Sequence, residues 1–211
     1  RRRLVREPGR HVRRGDDPGR GDAGAGAQQR SALPLLGVFV GVAALIGMME
    51  SIEEIPGIAL ADGLKWNWET FPEYLDALDQ KPRAIDIAAQ IPHHPLRVYV
   101  MGERAIRREK ATGDDIQQMR DAVRQGLKAG AFGFTTSRTN SHKTPAGDMV
   151  PGRYSETEEL LGIGTAFNGL NHGAFGVNSD FDDEAGELKW MTKFSRESGR
   201  PWARARRDSS V

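Results

Sequence analysis

His93 and His94 stand side by side after an apolar stretch, Ile85 to Ile91, closed by Pro92. An imidazole there can ligate a metal, shuttle a proton or donate to a substrate, or it can be a loop histidine bonded to backbone carbonyls. His93 is the candidate catalytic residue of the pair, because Pro95 is expected to turn His94 elsewhere. Their adjacent spacing is not the His-x-His that puts two rings on one strand face. A second set, Thr135, Thr136 and Ser137, offers hydroxyls. Thr136 and Ser137 are candidate substrate-binding residues, with no nearby base to mark a nucleophile. A third set, Asn178, Ser179 and Asp180, supplies a carboxylate. Asp180 can act as a catalytic base or orient a ligand, or it can cap a helix alongside Asp182.

Between the second and third sets runs SRTNSHKTPAGDMVPGRY, Ser137 to Tyr154, with no structural period. Loops this long inside compact domains are lids, binding loops or disorder. His142 and Lys143, with Asp148 and Arg153, can contact an anionic substrate group or simply be solvated. The sequence holds no P-loop, no dinucleotide fingerprint and no zinc-finger spacing. It also holds no cysteine. That removes disulfides and thiolate metal sites, and fits a reducing, cytoplasmic setting.

The elements that must position these sets are legible from Asp62 onward. Thr70 caps a helix through Glu73, Tyr74, Leu75 and Leu78, with Pro72 in its first turn. Ile85, Ile87, Ala89 and Ile91 alternate as a strand, and the near-apolar filling predicts burial on both faces. Thr112 and Asp115 resemble a capping box ahead of the stripe Ile116, Met119, Val123 and Leu127, which Gly130 closes. Ala131 to Thr135 reads as a strand. Ser155 and Glu158 read as a second capping box, opening a helix through Leu160 and Leu161. Ala174 to Asn178 is a third strand. Asp182 and Asp183 open a last helix with Leu188, Met191 and Phe194 inward, ended by Gly199 and Pro201. Strand–helix alternation means parallel strands with right-handed crossovers, hence an α/β sheet or barrel. In such folds function gathers at the carboxyl ends of strands, where all three polar sets lie. Trp66 and Trp68 read as plugs of a core or an interface.

The two ends of the chain differ from this middle. At 211 residues and 38% apolar the chain is long enough for one domain, and its net charge of +1 argues against a nucleic-acid partner. Yet the first thirty residues hold nine arginines and no lysine. Residues 1–31 read as a basic arm, as a disordered tail, or as a wrong-frame translation of GC-rich DNA. Ala32 to Met49 is uncharged, at the lower length limit for a membrane span, but carries Pro34 and three glycines before the acidic Glu50, Glu53 and Glu54. A buried helix over Leu45 to Ile55, stopped by Pro56-Gly57, is the preferred reading of its end. A membrane-anchored or basic-tail interaction protein without catalysis is the alternative these residues motivate.

The stretches LIGMMESIEEIPGIALADGLKWNWETFPEYLDAL, AIDIAAQIPHHPLRVYVMGERA, GLKAGAFGFTTSRTNSHKTPAGDMVPGR and GAFGVNSDFDDEAGELKWM resemble the N-acyl-D-amino-acid deacylase (D-aminoacylase) branch of the metal-dependent amidohydrolases, over about residues 45–201. The resemblance implies a (β/α)8 TIM-type barrel, of which this chain has about three strand–helix units, too few to close a barrel. It implies zinc-dependent hydrolysis of the amide bond of N-acyl-D-amino acids, the metal polarising the carbonyl and an aspartate handling protons. His93, Leu96 and Arg97 match the family's His-x-x-Leu-Arg motif after the third barrel strand, and Phe134 to Ser137 match the end of the next strand. The family's metal ligands are a His-x-His, a cysteine in an Asn-Cys-Gly turn, later histidines and a final aspartate. None stands in this sequence, so no metal ligand is expected here and the chain reads as an interior fragment, inactive alone. The arginine-rich ends, 1–31 and 202–211, fall where the family would place strands.

Overall fold

The computed structural model describes residues 46, 47, 49, 50, 54–65, 67–144 and 146–204. The arginine-rich 1–31 segment, the apolar 32–44 segment, Trp66 and residues 205–211 lie outside the described residues. Ile46, Gly47, Met49 and Glu50 are helical, with Met49 40% exposed, so the expected burial fails at that residue. Pro56 does divide this stretch from the next helix, α1 (Gly57–Gly63). No helix among the described residues is long and apolar enough to cross a membrane.

The chain continues through α2 (Phe71–Asp79), β1 (Gln90–Pro92), α3 (His93–Met101), α4 (Glu103–Ile106), α5 (Gly113–Ala129), β2 (Gly133–Arg138), α6 (Thr157–Gly164), a 3-10 turn at Thr165–Phe167, β3 (Ala174–Ser179), α7 (Glu184–Ser198) and β4 (Trp202–Arg204). The four strands form one parallel sheet in the order β1-β2-β3-β4, joined by helical crossovers, as the alternation implies. The fold is α/β with a parallel sheet.

Local chemistry fixes most helix ends where the sequence places them. Thr70 and Glu73 close a capping box at α2, Thr112 and Asp115 another at α5, and Gly130 ends α5 in the left-handed region. Two expectations shift. Ser155 caps nothing; its hydroxyl donates to Gly152 O, and α6 begins later, behind Glu156. On α7 the inward stripe is Glu187, Trp190, Met191 and Phe194, an i, i+3, i+4, i+7 set. Leu188 falls one residue round from that stripe and is 39% exposed rather than inward.

The strands differ more. β1 has three residues rather than seven, and Ile85 is 74% exposed. Pairing with β2 starts only at Gln90↔Gly133, and β1 is the sheet's edge, so nothing among the described strands covers Ile85 or Ile87. β2 runs from Gly133 to Arg138, later than expected, because its ladder to β3 spans Gly133↔Ala174 to Arg138↔Ser179. A Cβ at Gly133 would lie 2.0 Å from Ala174 O, so only glycine can open this pairing. Trp202–Arg204, read from sequence as the start of a tail, forms β4 instead. Trp202 packs on the main core with Phe134, Phe175, Trp190 and Phe194. That core lies between the sheet and α5, α6 and α7. Burying its aromatic rings, about 150–250 Å² each, supplies much of the apolar stabilisation.

Candidate active site

The carboxyl ends of β1, β2 and β3 bring the three polar sets together along one rim, and alternation along β2 divides them into two groups. Thr136 points with Phe134 toward the helices, whereas Ser137 points to the other face.

The helix-side group is sealed. His93 is the first residue of α3, held there by Pro92 at the cap position, and its side chain is fully buried. His93 Nε2–H donates to Glu159 Oε1 at 2.8 Å, which leaves Nδ1 to accept the Thr136 hydroxyl, also at 2.8 Å. Arg97, one turn along α3, places Nε 3.2 Å from the same carboxylate oxygen and donates from NH2 to Glu109 O. Burial holds the His93 imidazole below its ordinary pKa, against the opposing pull of Glu159. A neutral ring suits a helix N-terminus, and Glu159, in the first turn of α6, gains from the dipole there. His93 thus sits at the carboxyl end of β1 with its ring turned into the protein. It is bonded to side chains, not to the backbone carbonyls expected of a loop histidine.

His94 does point elsewhere. Its Nδ1–H donates to Pro151 O at 2.6 Å, and burial, then the nearby His93, push its pKa down to about 3. Gly152, at φ +91°, lets the chain turn over both rings, since a Cβ there would lie 3.0 Å from His94 Nδ1 and 3.1 Å from His93 Nδ1. Between Arg97, Glu159, Ser155 and Arg108 a cavity of about 20 Å³ remains, room for roughly one water.

The outer group lies on the rim. Ser137 Oγ is 2.6 Å from His142 Nδ1, so an imidazole from five residues downstream stands beside the hydroxyl for which sequence reading found no nearby base. Asp180 accepts from the Thr139 hydroxyl at 2.7 Å and from Asn140 N–H at 2.5 Å, fastening the β2 loop to the end of β3. It is not the helix cap; Asp183 caps α7 by accepting from Gly186 N–H. Arg153 donates to Asn140 and pairs with Asp182, and Asp148 pairs with Arg108. Lys143 is exposed on a small antiparallel bridge to Met149, and the loop is ordered by such bonds. Sequence reading missed Glu159. Its signal was position: four residues before Ile163, on the inward side of α6, a carboxylate needs a buried cation or donor.

The amidohydrolase family profile matches residues 36–206. The chain belongs to the amidohydrolase family. Its likeness runs to the D-aminoacylase branch: a D-aminoacylase of Alcaligenes xylosoxydans xylosoxydans is 35% identical over 104 residues, 49% of this chain and 19% of that protein. A D-aminoacylase mutant solved in complex with copper chloride superposes with a TM-score of 0.51 at 26% identity, over 64% of this chain and 26% of that one. A second D-aminoacylase structure, described for the functional role of its binuclear metal center, gives a TM-score of 0.47 at 25% identity, over 63% and 26%. The chain therefore spans about a fifth to a quarter of the length of these relatives.

A protein metal centre needs several convergent donors. Among the described residues no group of three or more His, Cys, Asp or Glu is placed to hold an ion. Both nitrogens of His93 are already committed to Thr136 and Glu159. The described residues do not fit a metal centre, and no chemical step is assigned through one.

Proposed function

We propose that this chain supplies one arc of the barrel of a D-aminoacylase-like amidohydrolase, which cleaves the amide bond of N-acyl-D-amino acids. The match of residues 36–206 to the amidohydrolase family carries this reading. The convergence of Ser137, His142 and Asp180 at the carboxyl ends of adjacent parallel strands supports it. In the complete enzyme zinc would be the metal, held by donors outside the described residues. The rim loop from Thr139 to Tyr154 would border the substrate, with Lys143 its exposed cation toward the substrate carboxylate. The sealed Thr136–His93–Glu159 group would hold the ends of β1 and β2 in place rather than touch substrate. A cysteine-free sequence supports a cytoplasmic setting.

The test is a graft. The matching segment of a D-aminoacylase is replaced by residues 45–204 of this chain, and amine release from N-acetyl-D- and N-acetyl-L-amino acids is measured. The expected result is metal-dependent hydrolysis with preference for the D form. A soluble, metal-loaded graft that hydrolyses neither would sink the reading. The chain alone is expected to release no amine from these substrates above background.

A further inference from the structure

Two hydroxyl–imidazole pairs stand side by side on β2, and they differ in access. The Thr136–His93 pair also has its carboxylate, Glu159, yet all three side chains are buried against the core. The Ser137–His142 pair lies on the opposite face of the sheet, at its carboxyl end, where Ser137 keeps 8% exposure and Asn178 is half-buried. Ser137 Oγ and His142 Nδ1 stand 2.6 Å apart, and with the ring proton on Nε2 the hydroxyl donates to Nδ1, the arrangement that a nucleophile and its base require. His142 is brought back over β2 by a short turn with its own fastening. Asp180 takes the Thr139 hydroxyl and the Asn140 N–H, and Thr139 Oγ1 in turn accepts from Ser141 N–H and from the Ser141 hydroxyl, at 3.2 and 2.9 Å. Ser137 pairs in register with Asn178, and residues in register on neighbouring parallel strands share a face about 4.8 Å apart. An amide N–H there is within reach of the oxygen of a carbonyl attacked by Ser137.

We propose that Ser137 and His142 are a nucleophile–base pair that accepts an acyl group from small activated carboxylic esters without a metal, with Asn178 as the oxyanion donor. Ser137 Oγ bonds to the carbonyl carbon while its proton passes to His142 Nδ1. The carbon–oxygen bond to the leaving alcohol breaks, and that alcohol takes the proton from His142. Water then adds to the acyl carbon, giving one proton to His142, and Ser137 leaves as its oxygen recovers that proton. The net reaction is ester plus water to acid plus alcohol.

The experiment uses the intact chain in excess chelator, which separates it from the metal-dependent reading above. The chain is incubated with p-nitrophenyl acetate or a fluorophosphonate, and adducts are located by peptide mass mapping. A single adduct on Ser137 is expected, absent in Ser137→Ala. His142→Gln should slow its formation by about a hundredfold, the lower range for a general base, and Asn178→Ala by a comparable factor. Ser137→Cys, nearly isosteric, keeps a nucleophile; its alkylation by iodoacetamide should slow when His142→Gln is added. Adducts confined to lysines, or a Ser137 that stays unlabelled in a chain folded by circular dichroism, overturn the proposal. So does a Ser137→Cys alkylation rate indifferent to His142.

Discussion

Replacing Glu159 by alanine should cost more stability than any other single carboxylate change among the described residues. Its Oε1 accepts from His93 and stands 3.2 Å from Arg97, with the side chains of all three at most 3% exposed. Removal leaves a guanidinium charge and an imidazole N–H in the interior without their acceptor. Breaking such a pair from one side costs about 3–5 kcal/mol, against a typical total of about 5–15 kcal/mol. The exposed pair Arg107–Glu103, at 58% and 70%, is the internal control: Glu103→Ala should change stability by about 1 kcal/mol or less. Glu159→Gln keeps an oxygen for His93 but loses the charge opposite Arg97, so it should fall between the two. Urea denaturation followed by circular dichroism, at pH 7 and equal protein concentration, gives the three free energies by linear extrapolation. A Glu159→Ala chain within about 1 kcal/mol of the parent would refute the network as drawn, since no buried charge could then have been left uncompensated.

Three further outcomes follow from the same geometry. Thr136→Val should destabilise by about 1–3 kcal/mol by orphaning His93 Nδ1, while Thr136→Ser should stay close to the parent in the same denaturation assay. Because His93 and His94 both have pKa values lowered in the fold, the unfolded chain binds more protons below about pH 6.5, so stability should fall as pH drops from about 6.5 to 4.5. The slope is at most about 1.4 kcal/mol per pH unit for each ring; His94→Gln should flatten it, and equal urea midpoints at pH 7 and pH 5 would contradict the assignment. Elemental analysis of the dialysed chain should find no stoichiometric zinc, and tightly retained zinc would mean that donors converge in a way the described residues do not show.

Much of the framework was legible because it rests on local rules. The capping boxes at Thr70 and Thr112, the stripe Met119, Val123 and Leu127, and the stop at Gly130 are each decided within one or two helical turns. Strand extents were not, because a strand ends where its neighbour does. Ile85 and Ile87 alternate as well as any strand residues, yet β2 offers them no partner. Trp202–Arg204 was hidden by the arginine-rich sequence around it, although it lies in register with Phe175 to Val177. Glu159 and Glu187 fill inward helix positions that an apolar template assigns to hydrophobic side chains, and each is matched by a cation that is distant in sequence, Arg97 or Arg138.

The site turns on a parity that the sequence contains but does not interpret. Thr136 and Ser137 are neighbours, so on a strand their hydroxyls must point to opposite faces. Which face is the interior follows from Phe134, two residues before Thr136, which joins the core with Phe175 and Val177. Thr136 is therefore committed to the buried side, where only a fully satisfied polar group can persist, and His93 with Glu159 satisfies it. Ser137 is committed to the face away from the core and meets His142 at the rim. A strand shifted by one residue would exchange these fates. It would put Thr136 beside His142 and leave Ser137 to face His93. The ladder from Gly133↔Ala174 onward prevents that shift, because only Gly133 can sit against the Ala174 carbonyl. A glycine at the far end of β2 thus decides which of two adjacent hydroxyls is locked against the core and which meets His142 at the rim.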